Sequence, residues 1–334
     1  MLTSRIAGTG SYLPPRVVTN EEVGRPLAMS GEAIRRLTGV QARHWATDDM
    51  TTSDLAEQAA RHACEAAGVE PASVDAILVS TTSPDMGFPS TACQVQRRLG
   101  AREAAAFDVV ASCSGFLYGL SMADRFVRAG QYGTCLVIAA EIKSRFLNQT
   151  DRTTAVLFGD GAGAAIVVAE HQRNAAGAIA PRGVLGVRLY ADGRRHGVIT
   201  VPAGGSRLPA SPETLKAGLH TLQIQGGPVY RLAVRRLADA VGALLKEFGL
   251  RVEDLDQAVF HQANQRILTA LARRLRLPDD KLWSVIRAVG NTSSASLPIA
   301  LDQAVRARRI RAGDLVLLGT FGGGLTWATG LVRW

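Results

Sequence analysis

The second half of this chain repeats the pattern of its first, and that limits the fold more than any other feature. Val74-Asp-Ala-Ile-Leu-Val-Ser-Thr-Thr82 matches Leu255-Asp-Gln-Ala-Val-Phe-His-Gln-Ala263. Each is a short apolar run after an Asp, preceded by an Ala/Leu-rich helical stretch. The segment ending at Cys113 parallels Val285-Ile-Arg-Ala-Val-Gly-Asn-Thr292, and Gly133-Thr-Cys-Leu-Val-Ile-Ala-Ala140 parallels Gly313-Asp-Leu-Val-Leu-Leu-Gly-Thr320. Asp75 and Leu136 are 61 residues apart; Asp256 and Leu315 are 59 apart. A repeat this long is a duplicated domain and not a solenoid unit. Apolar runs alternating with helical stretches predict mixed or parallel sheets covered by helices. The expected halves are residues 1–172 and 173–334, with the functional site where loops of both meet.

The chain has 334 residues, 47% hydrophobic and 20% charged, which suits a globular protein with a large core. No signal peptide is evident at the N-terminus. The longest apolar runs, such as Cys135–Ala140, are far shorter than the ~20 residues of a membrane span. A soluble, cytoplasmic protein without membrane contact is expected. The net charge is +9. Its arginines are spread, with no basic tail or aromatic-rich RNA signature, so no nucleic-acid partner is expected. An acidic partner, either CoA phosphates or an acidic carrier protein, fits the charge better.

The four cysteines are Cys64, Cys93, Cys113 and Cys135. None forms a C-x-x-C pair and none clusters with histidines, which argues against a metal site and a disulfide scaffold. Cys64 and Cys135 sit in apolar surroundings and read as small buried hydrophobes. Cys113 differs. It lies in Asp108-Val-Val-Ala-Ser-Cys-Ser-Gly-Phe-Leu-Tyr-Gly-Leu120, where a strand breaks into a helix. A helix N-terminus offers unpaired N–H groups and roughly half a positive charge, both favouring the thiolate. Gly115 and Gly119 keep one face of that helix small, open to an acyl chain or a neighbouring helix.

His261 follows the strand-like run ending at Phe260, beside Asn264. It is placed to donate to a developing negative charge. Asn291 follows Gly290 in a Ser/Thr-rich turn, and Phe321-Gly-Gly-Gly-Leu325 follows an apolar strand. Consecutive glycines let backbone N–H groups approach a ligand. Cys, His, Asn and a glycine turn all fall at strand ends of the two halves. That set points to a covalent acyl-thioester enzyme.

With Gly8-Thr-Gly-Ser-Tyr-Leu-Pro14, Thr38-Gly-Val40, Phe88-Pro-Ser-Thr-Ala-Cys-Gln94, Asp151-Arg152, Leu157-Phe-Gly-Asp-Gly-Ala-Gly163, Asn291-Thr-Ser-Ser-Ala-Ser296 and Phe321-Gly-Gly-Gly-Leu-Thr-Trp327, the chain resembles β-ketoacyl-acyl carrier protein synthase III of the thiolase-like superfamily. The resemblance covers essentially the whole length. It implies an α/β fold of thiolase-like duplicated domains in a five-layered αβαβα arrangement, assembled as a homodimer. It implies an acyltransferase that condenses an acyl-CoA primer with malonyl-acyl carrier protein, releasing CO2 and initiating fatty acid synthesis. An alternative is a specialised-metabolism relative using an unusual acyl primer or a carrier-bound donor.

By the same resemblance the catalytic residues are Cys113, His261 and Asn291. The backbone N–H groups of Cys113 and Gly323 form an oxyanion hole. Arg152, Phe88 and Asn264 contact substrate or CoA, and Arg266, Arg273 and Arg274 dock the carrier. No metal or other cofactor is implied. Ala33 and Leu37 stand where the family often has a Trp and an Arg that hold the CoA adenine. Met86, Phe116 and Leu147 are candidates to line the acyl pocket. No cysteine follows Cys135, unlike in biosynthetic thiolases, and His261 alone occupies a motif where elongating synthases use two histidines.

Overall fold

The structure is a computed structural model and describes residues 2–171 and 182–334. Two five-stranded sheets are built by one connection pattern used twice. In the first half the order is β1 (Leu2–Tyr12), α1 (Gly31–Thr38), α2 (Thr52–Ala67), β2 (Ala76–Ser80), α3 (Thr91–Leu99), β3 (Ala105–Val109), α4 (Gly115–Arg128), β4 (Thr134–Glu141) and β5 (Gly161–His171). In the second it is β6 (Gly183–Ala191), α5 (Gly226–Glu247), β7 (Gln257–Phe260), α6 (Gln265–Leu275), β8 (Leu282–Trp283), α7 (Ser296–Arg306), β9 (Leu315–Gly322) and β10 (Thr326–Arg333). The expected boundary between residues 172 and 173 lies outside the described residues.

The first sheet runs β1-β5-β4-β2-β3 and the second β6-β10-β9-β7-β8, strand for strand the same order. β2 pairs in parallel with β3 and β4, as β7 does with β8 and β9. The hairpins β4–β5 and β9–β10 are antiparallel. The middle strands β2 and β9 are buried throughout, as expected where helices cover both faces.

Three helical layers cover the two sheets. α4 and α7 lie between the sheets and are apolar on every side that meets one. Phe116, Leu117 and Leu120 of α4 and Leu297, Ile299 and Leu301 of α7 are fully buried in one shared core. α2 and α3 cover the outer face of the first sheet through an alanine stripe, Ala56, Ala59, Ala60 and Ala63. α5 and α6 cover the outer face of the second. The layers are therefore α, β, α, β, α.

The alanine stripe works because β1 has glycines beneath it. A Cβ on Gly10 would lie 2.3 Å from the Ala63 nitrogen and 2.4 Å from the Ala59 oxygen, both backbone atoms of α2. Gly10→Ala should therefore push α2 off the sheet and lower stability by about 1–3 kcal/mol. A denaturant titration checks this, and an unchanged midpoint would mean that α2 yields freely.

Candidate active site

A cavity of about 710 Å³ opens at the carboxyl ends of strands from both halves. Open α/β sheets place their sites there. Cys113, His261, Asn291 and Gly323 all line it, together with Thr82, Lys143 and Ser293.

Cys113 sits in a 3₁₀ turn, Ser112–Ser114, that feeds α4. The preceding Ser112 has a φ of 47°, a left-handed conformation that non-glycine residues rarely adopt. The turn is pressed from the other half by the β9–β10 hairpin. A Cβ on Gly322 would lie 2.7 Å from the Cys113 nitrogen, so only glycine allows that approach. The faces of Gly115 and Gly119 are filled neither by an acyl chain nor by a helix. The first sheet covers them: a Cβ on Gly115 would meet the Ser80 side chain, and one on Gly119 would meet Val137.

The thiol of Cys113 is held above its ordinary pKa. Burial is the main cause. The nearby Glu141 carboxylate adds to it, while the Ser293 hydrogen bond and Lys143 act the other way. Burial outweighs the helix-start effect expected from the sequence. Burial also raises the thiols of Cys64 and Cys135, to about 11 and about 12, which suits inert core cysteines.

His261 is buried at the end of β7, and its backbone N–H donates to the Gly319 oxygen at 2.8 Å. Burial lowers its imidazole pKa to about 4, so the ring is neutral at physiological pH. Its Nδ1 is hydrogen-bonded to the Ser296 hydroxyl, which also accepts the Gln262 backbone N–H at 3.1 Å. Among the described residues Nδ1 is the acceptor available to the Ser296 proton. The imidazole proton therefore resides on Nε2.

Asn291 is oriented with equal definition. Its Oδ1 accepts the Ser293 backbone N–H at 2.9 Å, and its Nδ2 donates one proton to the Ala263 oxygen at 3.3 Å. The second Nδ2 proton remains for a ligand. Gln262 sets the spacing of the pair. Its Oε1 accepts from the Val285 backbone at 2.9 Å and from the Ser284 hydroxyl at 3.0 Å, tying the end of β7 to the segment that leads to Asn291.

Beneath Cys113 lies a buried acid–base pair that the sequence reading did not single out. Glu141 is fully buried at the end of β4 and faces the Lys143 ammonium at 3.2 Å. The carboxylate also accepts from the Ser83, Ser293 and Ser294 hydroxyls at 2.6, 3.0 and 2.9 Å, and from the Thr82 N–H at 3.1 Å. Burial alone would raise its pKa. Lys143 first, then these hydrogen bonds, outweigh that and hold the carboxyl below its usual range. The Ser293 hydroxyl is also 3.5 Å from the Cys113 sulfur, which links the nucleophile to the pair. Removing one partner of such a pair costs roughly 3–5 kcal/mol, because the other charge stays buried. A charged Glu-x-Lys directly after the all-apolar run Cys135–Ala140 was the available signal.

Arg152, Asn264 and Arg266 line the outer part of the cavity, as does Leu37. Arg152 donates to the Leu27 oxygen at 3.0 Å. Asn264 caps α6 through the Arg266 N–H at 2.8 Å and donates to the Leu37 oxygen at 3.3 Å. Arg273 and Arg274 are exposed on α6 outside the cavity. Phe88 stands outside the cavity of the single chain, with its ring 87% exposed. Met86, Phe116 and Leu147 do not line it either. Phe116 is buried in the core between the sheets, because its helix position faces that layer. The apolar wall comes instead from residues such as Ile199, Leu222 and Ile224 of the second half. Among the described residues, no group of three His, Cys, Asp or Glu gathers to hold a metal.

The low pKa of His261 has a thermodynamic consequence. Below the unfolded value near 6.5 the unfolded chain binds a proton that the folded chain refuses until about pH 4. Stability is therefore lost as pH falls through that window, by up to ~3 kcal/mol from this residue. His261→Gln should remove that share, so denaturation curves of the two proteins should converge between pH 7 and pH 4.5. Parallel curves would show that the imidazole protonates freely in the folded state.

Known proteins resemble this chain over its full length. Residues 107–193 match the family described as 3-Oxoacyl-[acyl-carrier-protein (ACP)] synthase III, and residues 245–334 match its C-terminal family. The Beta-ketoacyl-[acyl-carrier-protein] synthase III of Caldanaerobacter subterraneus is 46% identical over 333 residues, covering 100% of this chain and 98% of that protein. The protein of the same name from Xanthomonas campestris is 47% identical, covering 99% and 98%. The crystal structure of 3-oxoacyl-[acyl-carrier-protein] synthase III from Aquifex aeolicus superposes with a TM-score of 0.89 at 36% identity, covering 99% of this chain and 100% of that one. The priming beta-ketosynthase of the R1128 polyketide pathway superposes equally well, with a TM-score of 0.89 at 34% identity, covering 99% and 96%. Similar to these proteins over its full length, at up to 47% identity, this chain belongs to the β-ketoacyl-acyl carrier protein synthase III family.

Proposed function

We propose that this chain carries out the decarboxylative Claisen condensation of an acyl-CoA primer with malonyl-acyl carrier protein, giving 3-oxoacyl-acyl carrier protein and initiating fatty acid synthesis. The convergence of the Cys113 thiol with two fixed neutral donors, His261 Nε2–H and Asn291 Nδ2–H, carries this reading. Cys113 loses its proton and attacks the primer thioester carbon. The backbone N–H groups of Cys113 and Gly323 hold the developing oxyanion, and CoA leaves as the free thiol. The malonyl thioester oxygen then takes the two side-chain donors. Its carbon–carboxylate bond breaks, CO2 leaves, and the electron pair is held as an enolate. The enolate carbon attacks the Cys113 acyl carbon and expels the cysteine thiolate. A neutral histidine suits the step, because it donates a hydrogen bond without adding a buried charge to the resting site. Each step uses side chains, backbone groups and the two thioesters, with no metal or further cofactor.

The outer cavity supports a CoA-sized, anionic ligand through Arg152 and Arg266. Exposed Arg266, Arg273 and Arg274 on and beside α6 suit an acidic carrier helix, with Arg274 lightly engaged by Asp239 at 3.4 Å. Such docking is electrostatic and weakens with salt. A homodimer fits the free edge of the first sheet. β3 is its outermost strand, and Phe88 and Val110 beside it are 87% and 76% exposed. An open strand edge with exposed apolar side chains is suited to a second copy. Among the described residues, no helix is long and apolar enough to cross a membrane.

The two donor sets separate experimentally. Cys113→Ala should form no acyl adduct by intact-mass spectrometry after incubation with acetyl-CoA. His261→Ala and Asn291→Ala should still acylate, but lose about 10²–10³ in 3-oxoacyl product formation, the range for one lost oxyanion donor. Wild-type condensation rates in the His261 variant would refute its assigned part.

A further inference from the structure

Lys143 is a charged side chain in the wall of the same cavity as the nucleophile. Its side chain is only 8% exposed. The ammonium has three protons. Glu141 accepts one and the Thr82 hydroxyl a second. The Phe146 ring covers it from another side at 5.5 Å. Among the described residues no third acceptor is hydrogen-bonded to Nζ. Cys113 and Lys143 line one cavity and are linked by contacts through Ser293 and Glu141, at 3.5 Å from sulfur to hydroxyl, 3.0 Å from hydroxyl to carboxylate and 3.2 Å from carboxylate to ammonium.

We propose that Lys143 is a specificity-determining residue. Among primers longer than acetyl, it selects short acyl groups with a neutral oxygen, such as a 3-hydroxyl or 3-oxo group, over plain alkyl groups of the same length. This rests on Cys113 being the residue that takes the primer. Three physical points favour that class. An alkyl group laid over Nζ would shield its remaining proton from water and offer no acceptor, which disfavours binding. A neutral oxygen accepts that proton and leaves the Glu141–Lys143 pair intact. A carboxylate would add a second buried anion beside a cation that Glu141 already neutralises, so a carboxylated primer is disfavoured. Acetyl is too short to meet Lys143 and is unaffected.

The test is the initial rate of Cys113 acylation, read by intact mass, with acetyl-, butyryl-, 3-hydroxybutyryl- and succinyl-CoA. Wild type should favour 3-hydroxybutyryl over butyryl by about tenfold, the effect of one hydrogen bond to a charged donor. Lys143→Met should invert that ratio. The double variant Glu141→Gln/Lys143→Met leaves no orphaned buried carboxylate and should invert it too, which separates selection from local unfolding. A wild-type ratio at or below one overturns the proposal even if neither variant folds. So does a ratio unchanged by the substitutions, or a preference for succinyl. Acetylation of wild type keeps the underlying reading standing whatever the ratio. Absence of any adduct, acetyl included, brings down both.

Discussion

The Glu141 carboxylate fastens the two halves of this protein together at the nucleophile. It sits at the end of β4 in the first half, takes bonds from Thr82 and Ser83 beyond β2, and takes two more from Ser293 and Ser294 of the second half. A buried carboxylate is tolerated only when such donors and a counter-ion surround it. Lys143 and the four donor residues meet that demand. The demand in turn fixes the relative position of the strand ends. Cys113, hydrogen-bonded to Ser293, inherits its place from this arrangement and not only from its own helix.

The resting site is electrically quiet where the chemistry occurs. Burial raises the Cys113 thiol and lowers the His261 imidazole, so both stay neutral. The charges that act on the Cys113 thiol, on Glu141 and Lys143, oppose each other and face each other at 3.2 Å. In the proposed reaction charge arises only as the chemistry proceeds, first on the primer oxygen and later on the malonyl enolate. Each time it arises opposite N–H donors that are already held in place. Preorganised neutral donors stabilise a developing anion without first having to reorient, and they act most strongly where water is excluded.

Much of this was legible in the sequence because duplication is a pattern visible along the chain. The parallel of Val74–Thr82 with Leu255–Ala263 predicted two strands that prove to occupy equivalent central places in the two sheets. Cys113, His261 and Asn291 were legible because each follows an apolar strand or a glycine turn. Glu141, Lys143, Ser293 and Ser296 were not. Their meaning depends on contacts between residues distant in sequence, such as Ser296 with His261 across 35 positions and Ser293 with Glu141 across 152. Periodicity carries no record of those. The glycines of α4 were misassigned for a related reason. A small helix face reports that something packs closely, not what, and the occupant is the sheet. Phe116 shows the same limit, since an aromatic beside a catalytic cysteine points either to the pocket or to the core, according to a helical phase that only packing settles.

The duplication also explains the strain at the site. Ser112 and Ser293 occupy equivalent turns, each leading through a 3₁₀ segment into a central helix, and both have positive φ, 47° and 53°. Left-handed backbone at a non-glycine residue costs of order 1–3 kcal/mol and survives only where its surroundings enforce it. Here each turn helps enforce the other. Cys113, next to Ser112, meets the Ser293 hydroxyl, while the Ser293 backbone N–H holds the Asn291 amide in place. One strained turn thus presents the Cys113 thiol and its twin holds the Asn291 amide at the same cavity. Packing two copies face to face gives both turns their support and brings the two donor sets to opposite sides of one cavity.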